Sequence, residues 1–152
     1  MRGLVELEPE MNVAYAKAVA ISVDPPYQCM ELRSALDAHF PFLSDQRRVW
    51  QKELDIQEYT DPTHDPHLPT TFLLLPELVI YKIYNGYWFW GRPTQEDLRQ
   101  DFRAMTMQCR PDWDPQAPGV REAWEEATKE GRRLRGVDFS RAIQKKREEM
   151  GL

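Results

Sequence analysis

Apolar positions in this chain gather in short groups, each bounded by proline, glycine or charge, and the spacing inside the groups changes along its length. Leu4, Val5, Leu7 and Met11 repeat at helical intervals and predict the end of an amphipathic helix, broken near Pro9. Ala18 to Val23 is a continuous apolar run with β-branched residues, the pattern of a buried parallel strand. Asp24-Pro25-Pro26 then turns the chain, and a helix starts at Pro26 or Tyr27 with Cys29, Leu32, Leu36 and Phe40 on one face. Phe42-Leu43 reads as a second brief strand. Asp45 to Leu54 reads as a charged helix whose inner side carries Val49, Trp50, Glu53 and Leu54.

Asp61 to Pro69 is a loop holding three prolines. Thr71 to Leu75 and Leu78 to Tyr84 predict two strands joined at Pro76-Glu77 and paired as an antiparallel hairpin. Asn85-Gly86 is a turn signal, and Tyr87 to Pro93 is an aromatic loop or a further strand. Thr94-Gln95-Glu96-Asp97 resembles a capping box opening a helix with Leu98, Phe102, Met105 and Cys109 inside. Pro111 to Pro118 is a linker around Trp113. Two polar helices follow, over residues 120–130 and 139–150, parted by Gly131 and Gly136 and packing lightly through Trp113, Trp124 and Leu134.

This order of helix, strand, helix, strand, helix, hairpin and helix predicts an α/β domain over residues 1–110, with residues 111–152 as a linker and helical C-terminal extension. The length of 152 residues supports one such domain with a real core. No apolar run approaches the roughly 20 residues of a membrane span, and Met1-Arg2-Gly3 is followed by acidic residues rather than an apolar signal core. Two cysteines far apart make no disulfide scaffold, so a reducing, cytoplasmic setting is expected. A net charge of −5 argues against general nucleic-acid affinity. The charge is uneven: residues 129–152 hold eight Lys/Arg against four Asp/Glu, so a basic tail follows an acidic body and could dock on a neighbouring protein.

The motifs AVAISVD, PFLSD, PTTFLLL and GRPTQEDLRQDFRA, in that order after a helix that includes Arg2-Gly3-Leu4, resemble the peroxiredoxin-like redoxin family, the alkyl hydroperoxide reductase and thiol-specific antioxidant superfamily. YNGYWFWGRPT with RPDWD looks like one bacterial redoxin-like subgroup. The resemblance covers about two-thirds of the chain. It implies a thioredoxin-like fold lacking its first strand and active-site turn, because the family's reactive cysteine would fall before Met1. It further implies thiol-dependent reduction of peroxides or disulfides, with no metal or organic cofactor, and a thiol reductant protein as a possible partner. With the family's first motif outside residues 1–152, that activity is expected to be weak or lost. The alternative is a non-catalytic interaction or assembly subunit, forming a homo-oligomer or binding a protein partner. Peroxiredoxins place an arginine before the strand that here follows Pro69; Leu68-Pro69-Thr70 instead resembles the cis-proline of thioredoxins.

Cys29 is the remaining thiol with a catalytic reading, since a helix's first turn favours thiolate; its place on an apolar stripe supports a core reading instead. Cys109 sits at the opposite, electrostatically unhelpful helix end and reads as packing. Pro69, Thr70, Trp88, Trp90 and Arg92 are the candidate substrate- or partner-binding residues: the first two by resemblance, the others from the aromatic run Tyr81 to Trp90, half of which must face outward from a strand. Asp61, His64, Asp65 and His67 crowd one loop, but H-x-x-H on a proline-rich loop is a weak metal signal, and a solvated loop is expected. His67 could serve a thiol as base.

Overall fold

The computed structural model describes residues 1–86 and 90–152, apart from the side chain of Asp112. Contacts divide the chain into two units, Met1–Phe102 and Arg103–Leu152, a division that falls inside one helix. In the first unit the elements run α1 (Arg2–Glu6), α2 (Glu8–Val13), β1 (Ala20–Ser22), α3 (Pro26–Ala35), β2 (Phe42–Ser44), α4 (Val49–Glu53), β3 (Thr70–Leu74), β4 (Ile80–Asn85) and the start of α5 (Gln95–Cys109). This is the predicted order.

Pro9 does not end the first helix. The interruption falls earlier, at Leu7, and Pro9 lies in the first turn of α2, where a missing N–H costs nothing. Leu7 and Met11 both point into the core. Gln95 Nε2 donates to the Gly3 carbonyl at 3.2 Å and to Glu6 Oε2 at 2.6 Å, while Arg99 makes a forked pair with Glu10 at 2.8–3.0 Å. These bonds fasten α1 and α2 to the start of α5.

β1 and β2 are parallel, with Ala20 opposite Phe42, Ile21 opposite Leu43 and Ser22 opposite Ser44, and α3 connects them. Phe40 stacks on Phe42 with ring centroids 5.4 Å apart. The predicted inner stripe of α3 is only partly buried. Cys29 is inside, but Leu32 is exposed, and the helix stops at Ala35 so that Ala38 and Phe40 are buried from the loop instead. On α4 the expectation reverses: Val49, Trp50 and Leu54 are exposed, and Gln51 is fully buried. With five residues α4 has too little surface to build an apolar stripe, and its inward position is taken by hydrogen bonding.

β3 and β4 form the predicted antiparallel hairpin, with an irregularity between Leu73 and Leu74 that pairs Leu73 with Lys82 and Leu74 with Ile80. The two ladders are separate two-stranded sheets. The capping box at α5 forms as the sequence predicts: Thr94 N donates to Asp97 Oδ2 at 2.8 Å and Asp97 N donates to Thr94 Oγ1 at 3.1 Å. On its inner face α5 buries Leu98 and an acid, Asp101, while Cys109 at its end is exposed rather than closing an apolar stripe. Asp101 accepts from the Tyr84 hydroxyl at 2.6 Å and from Lys82 Nζ at 3.0 Å. Burial first, and then the neighbouring Asp101, push the Tyr84 hydroxyl's pKa up; the Tyr84 hydroxyl and Asp101 hold the Lys82 ammonium firmly protonated.

The second unit holds the end of α5, a turn at Pro111–Trp113, α6 (Val120–Lys129) and α7 (Gly136–Met150). Ala127 and Ile143 form its buried centre, and Trp113 and Trp124 are substantially exposed. Small Ala127 permits close approach of α6 and α7. The same crowding appears at Gly119, at φ +90°, where a Cβ would stand 2.7 Å from the Ala142 carbonyl oxygen.

Asp101→Ala strands two donors of β4 and is expected to lower unfolding free energy by about 2–3 kcal/mol, against about 1 kcal/mol for Tyr84→Phe. Urea denaturation of both variants measures the difference.

Candidate functional site

Ligand sites in parallel α/β arrangements lie beyond the carboxyl ends of the strands. Here those ends carry Ser22 and Asp24 on β1 and its turn, and Ser44 and Asp45 on β2. The Ser22 hydroxyl donates to Asp24 Oδ2 at 2.8 Å, and the Ser44 hydroxyl donates to the Asp24 carbonyl at 2.6 Å. Cys29, in the first turn of α3, lies against this group and is 3% exposed. Its Sγ is 3.5 Å from Ser22 Oγ, 3.6 Å from the Asp24 carbonyl oxygen and 3.7 Å from that of Leu43. The Asp24 and Leu43 carbonyl oxygens are thus placed to accept from the Cys29 S–H.

Asp45 is the hub of the second half of the site. Its carboxylate accepts from the backbone N–H groups of Val49 (2.8 Å), Trp50 (3.2 Å) and Gln51 (2.9 Å), and pairs with His67 Nε2 at 3.1 Å. Burial pushes the Asp45 carboxyl up, but these four donors outweigh it and hold the group below the ordinary carboxylate value of 3.8. Since a charged Asp45 can only accept, His67 donates from Nε2 in this pair.

The loop before β3 is strapped onto this hub. Leu68 N donates to Ile56 O at 2.6 Å and Glu58 N to Pro66 O at 3.1 Å, closing the loop's neck. Gln51 Nε2 reaches the Asp65 and Pro66 carbonyls at 3.1 and 3.0 Å, and Arg48 Nε pairs with Asp65 Oδ2 at 3.2 Å. The four clustered loop residues therefore diverge: Asp61 pairs with His64, Asp65 turns to Arg48, Gln51 and Gln57, and His67 turns to Asp45. Among the described residues no three His, Cys, Asp or Glu side chains gather as metal ligands.

The candidate binding residues meet around Gly86. Its N–H donates to the Pro69 carbonyl at 2.7 Å, and a Cβ on it would stand 2.8 Å from Arg92 Cγ and 3.1 Å from the Trp90 carbonyl oxygen. Trp90 is 68% exposed, and Arg92 is exposed beside it. Thr70 opens β3 with its hydroxyl donating to the Leu68 carbonyl at 3.1 Å. Trp88 lies outside the described residues. The expectation of a cis Leu68-Pro69 bond is corrected: every described peptide bond is trans. A trans proline enters β3 without strain, because Pro69 offers its carbonyl to Gly86 and needs no N–H there.

Sequence reading passed over Asp45 and Gln51. Asp45 was legible as an aspartate set before a short helix, the residue type that caps free N–H groups. Nothing in the sequence marks Gln51, whose burial comes from the loop folding over it.

Comparison with family models and with curated protein sequences gives no match. Solved structures do match. AhpC from Mycobacterium bovis superposes with a TM-score of 0.56 at 18% identity over 70% of this chain and 57% of that protein. AhpC from Enterococcus faecalis gives 0.58 at 14% identity over 88% and 69%. Peroxidoxin BcpB from Mycobacterium tuberculosis gives 0.57 at 18% identity over 72% and 68%. The chain thus has the thioredoxin-like α/β fold found in peroxiredoxins, and it spans little more than half the length of the first of these.

Replacement of Asp45 by Asn is expected to cost about 1–3 kcal/mol at neutral pH, the range for a lost cap and a lost charged hydrogen bond. Because the folded-state pKa of Asp45 is depressed, its contribution is complete above 3.8 and disappears as pH falls through the lower folded value. The gap between wild type and Asp45→Asn in urea midpoints should therefore narrow on acidification below pH 3.8.

Proposed function

We propose that this chain is a redoxin-fold protein related to thiol-dependent peroxide and disulfide reductases, and that the two thiols it carries turn over weakly or not at all. The observation behind this reading is the setting of Cys29. A peroxide- or disulfide-attacking thiolate needs positive surroundings and access, whereas this sulfur is buried and lies beside two carbonyl oxygens. Cys109 is exposed at the C-terminal end of α5, not at a helix N-terminus of the kind that carries reactive thiols. Both cysteines are free, which fits a reducing, cytoplasmic setting. No helix among the described residues is long and apolar enough to cross a membrane.

The test is thiol chemistry on the folded protein. Ellman's reagent should label one thiol at native pH, lost in Cys109→Ser, and a second only on unfolding, lost in Cys29→Ser. Stoichiometric hydrogen peroxide should leave Cys29 unoxidised. Sulfenate on Cys29, detected by dimedone trapping and mass spectrometry, overturns the proposal.

A second reading, assembly with another copy or a protein partner, is favoured by apolar strand positions left uncovered. Ile21 and Leu43 sit opposite each other and are both nearly half exposed, and Leu74, Ile80 and Ile83 are exposed on the hairpin. Sedimentation at rising concentration should then show self-association that Leu43→Asp weakens. A monomer at every concentration removes the homo-oligomer form of this reading.

A further inference from the structure

At the amino ends of β1 and β2, opposite the site just described, the first unit contains a cleft of about 400 Å³, a size typical of small-molecule sites. Its floor is Met11 and Phe40, both more than nine-tenths buried. Ala16, Ala18, Val19 and Pro41 form the walls. Four polar side chains lie on the rim, engaged as two pairs. Glu8 Oε2 accepts from the His39 N–H at 3.3 Å and faces His39 Nδ1 at 3.4 Å. Asn12 Oδ1 accepts from Lys17 Nζ at 3.1 Å.

Lys17 is the cation of the second pair. Its ammonium carries a full charge, yet among the described residues its hydrogen-bonding partner is a neutral amide, and it joins no ion pair. The backbone beside it is also open. The segment Ala16 to Val19 belongs to neither helix nor strand, and the N–H groups of Lys17, Ala18 and Val19 have no hydrogen-bond partner among the described residues. One wall of an apolar cleft is thus lined by residues that carry a cation and open donors, while the carboxylate of Glu8, also in the lining, is paired with His39.

We propose that this cleft binds a small monocarboxylate with an apolar body, the carboxylate on Lys17 and the neighbouring N–H groups, the apolar body on Met11 and Phe40. The ligand class follows from the donors: an acceptor-only, negatively charged head suits them, and an apolar tail displaces water from the floor. The site is independent of the thiols and of the strand ends that carry them.

Octanoate is the probe, with octylamine and octanol as controls of the same chain length. Titration followed by backbone amide NMR should give saturable shifts confined to residues 8–19 and 39–41, with Kd near about 1 mM or tighter. Lys17→Glu, an exposed position, should weaken octanoate by about tenfold or more, the worth of a charge-assisted hydrogen bond. Ala18→Phe should fill the cleft and abolish the shifts, with its fold checked by circular dichroism. Absence of saturable shifts overturns the proposal, as does equal binding of octylamine or octanol, or an unchanged Kd in Lys17→Glu.

Discussion

The Asp45 carboxylate is the acceptor on which the strand-end region of the first unit is organised. A five-residue helix such as α4 cannot stabilise itself, because nucleation consumes most of what its few internal bonds return. Its opening N–H groups lie next to the core and would be left without acceptors. Asp45 supplies acceptors for three of them and takes His67 as well, so the end of β2, the start of α4 and the loop before β3 share one side chain. Gln51 extends the link to the loop backbone at Asp65 and Pro66. This arrangement fixes where β3 begins, and therefore where Pro69, Thr70 and the residues around Gly86 come to lie.

The same strand ends also enclose the Cys29 sulfur. The Cys29 sulfur lies against the Asp24 carbonyl in the turn after β1, which also accepts from the Ser44 hydroxyl, and against the Leu43 carbonyl within β2. The fold is shared with the AhpC structures, but shared fold leaves the chemistry to the residues at the site.

Much of the architecture was legible beforehand. The Ala18–Val23 run, the Pro26 helix start, the hairpin and the Thr94–Asp97 capping box all appear within a few residues of their expected positions, because each rests on local signals such as β-branching, proline φ and a side chain that caps its own helix. Burial was less legible. Leu32, Val49, Trp50 and Leu54 were assigned inward and stand outward, while Gln51 and Asp101 lie inside. Helical spacing names a face, yet short helices and a polar link such as Lys82–Asp101–Tyr84 let hydrogen bonding replace apolar contact on the inner side.

By itself the sequence determined the order and type of the elements, the acidic body with its basic tail, and the family resemblance, since all of these are carried by neighbouring residues. Tertiary structure alone decided that Cys29 is enclosed by carbonyls, that His67 pairs with Asp45 rather than with its loop neighbours, and that Pro69, Gly86, Trp90 and Arg92 converge. Each of those facts depends on groups distant along the chain being brought within hydrogen-bonding or packing distance. Local spacing carries no information about such approaches.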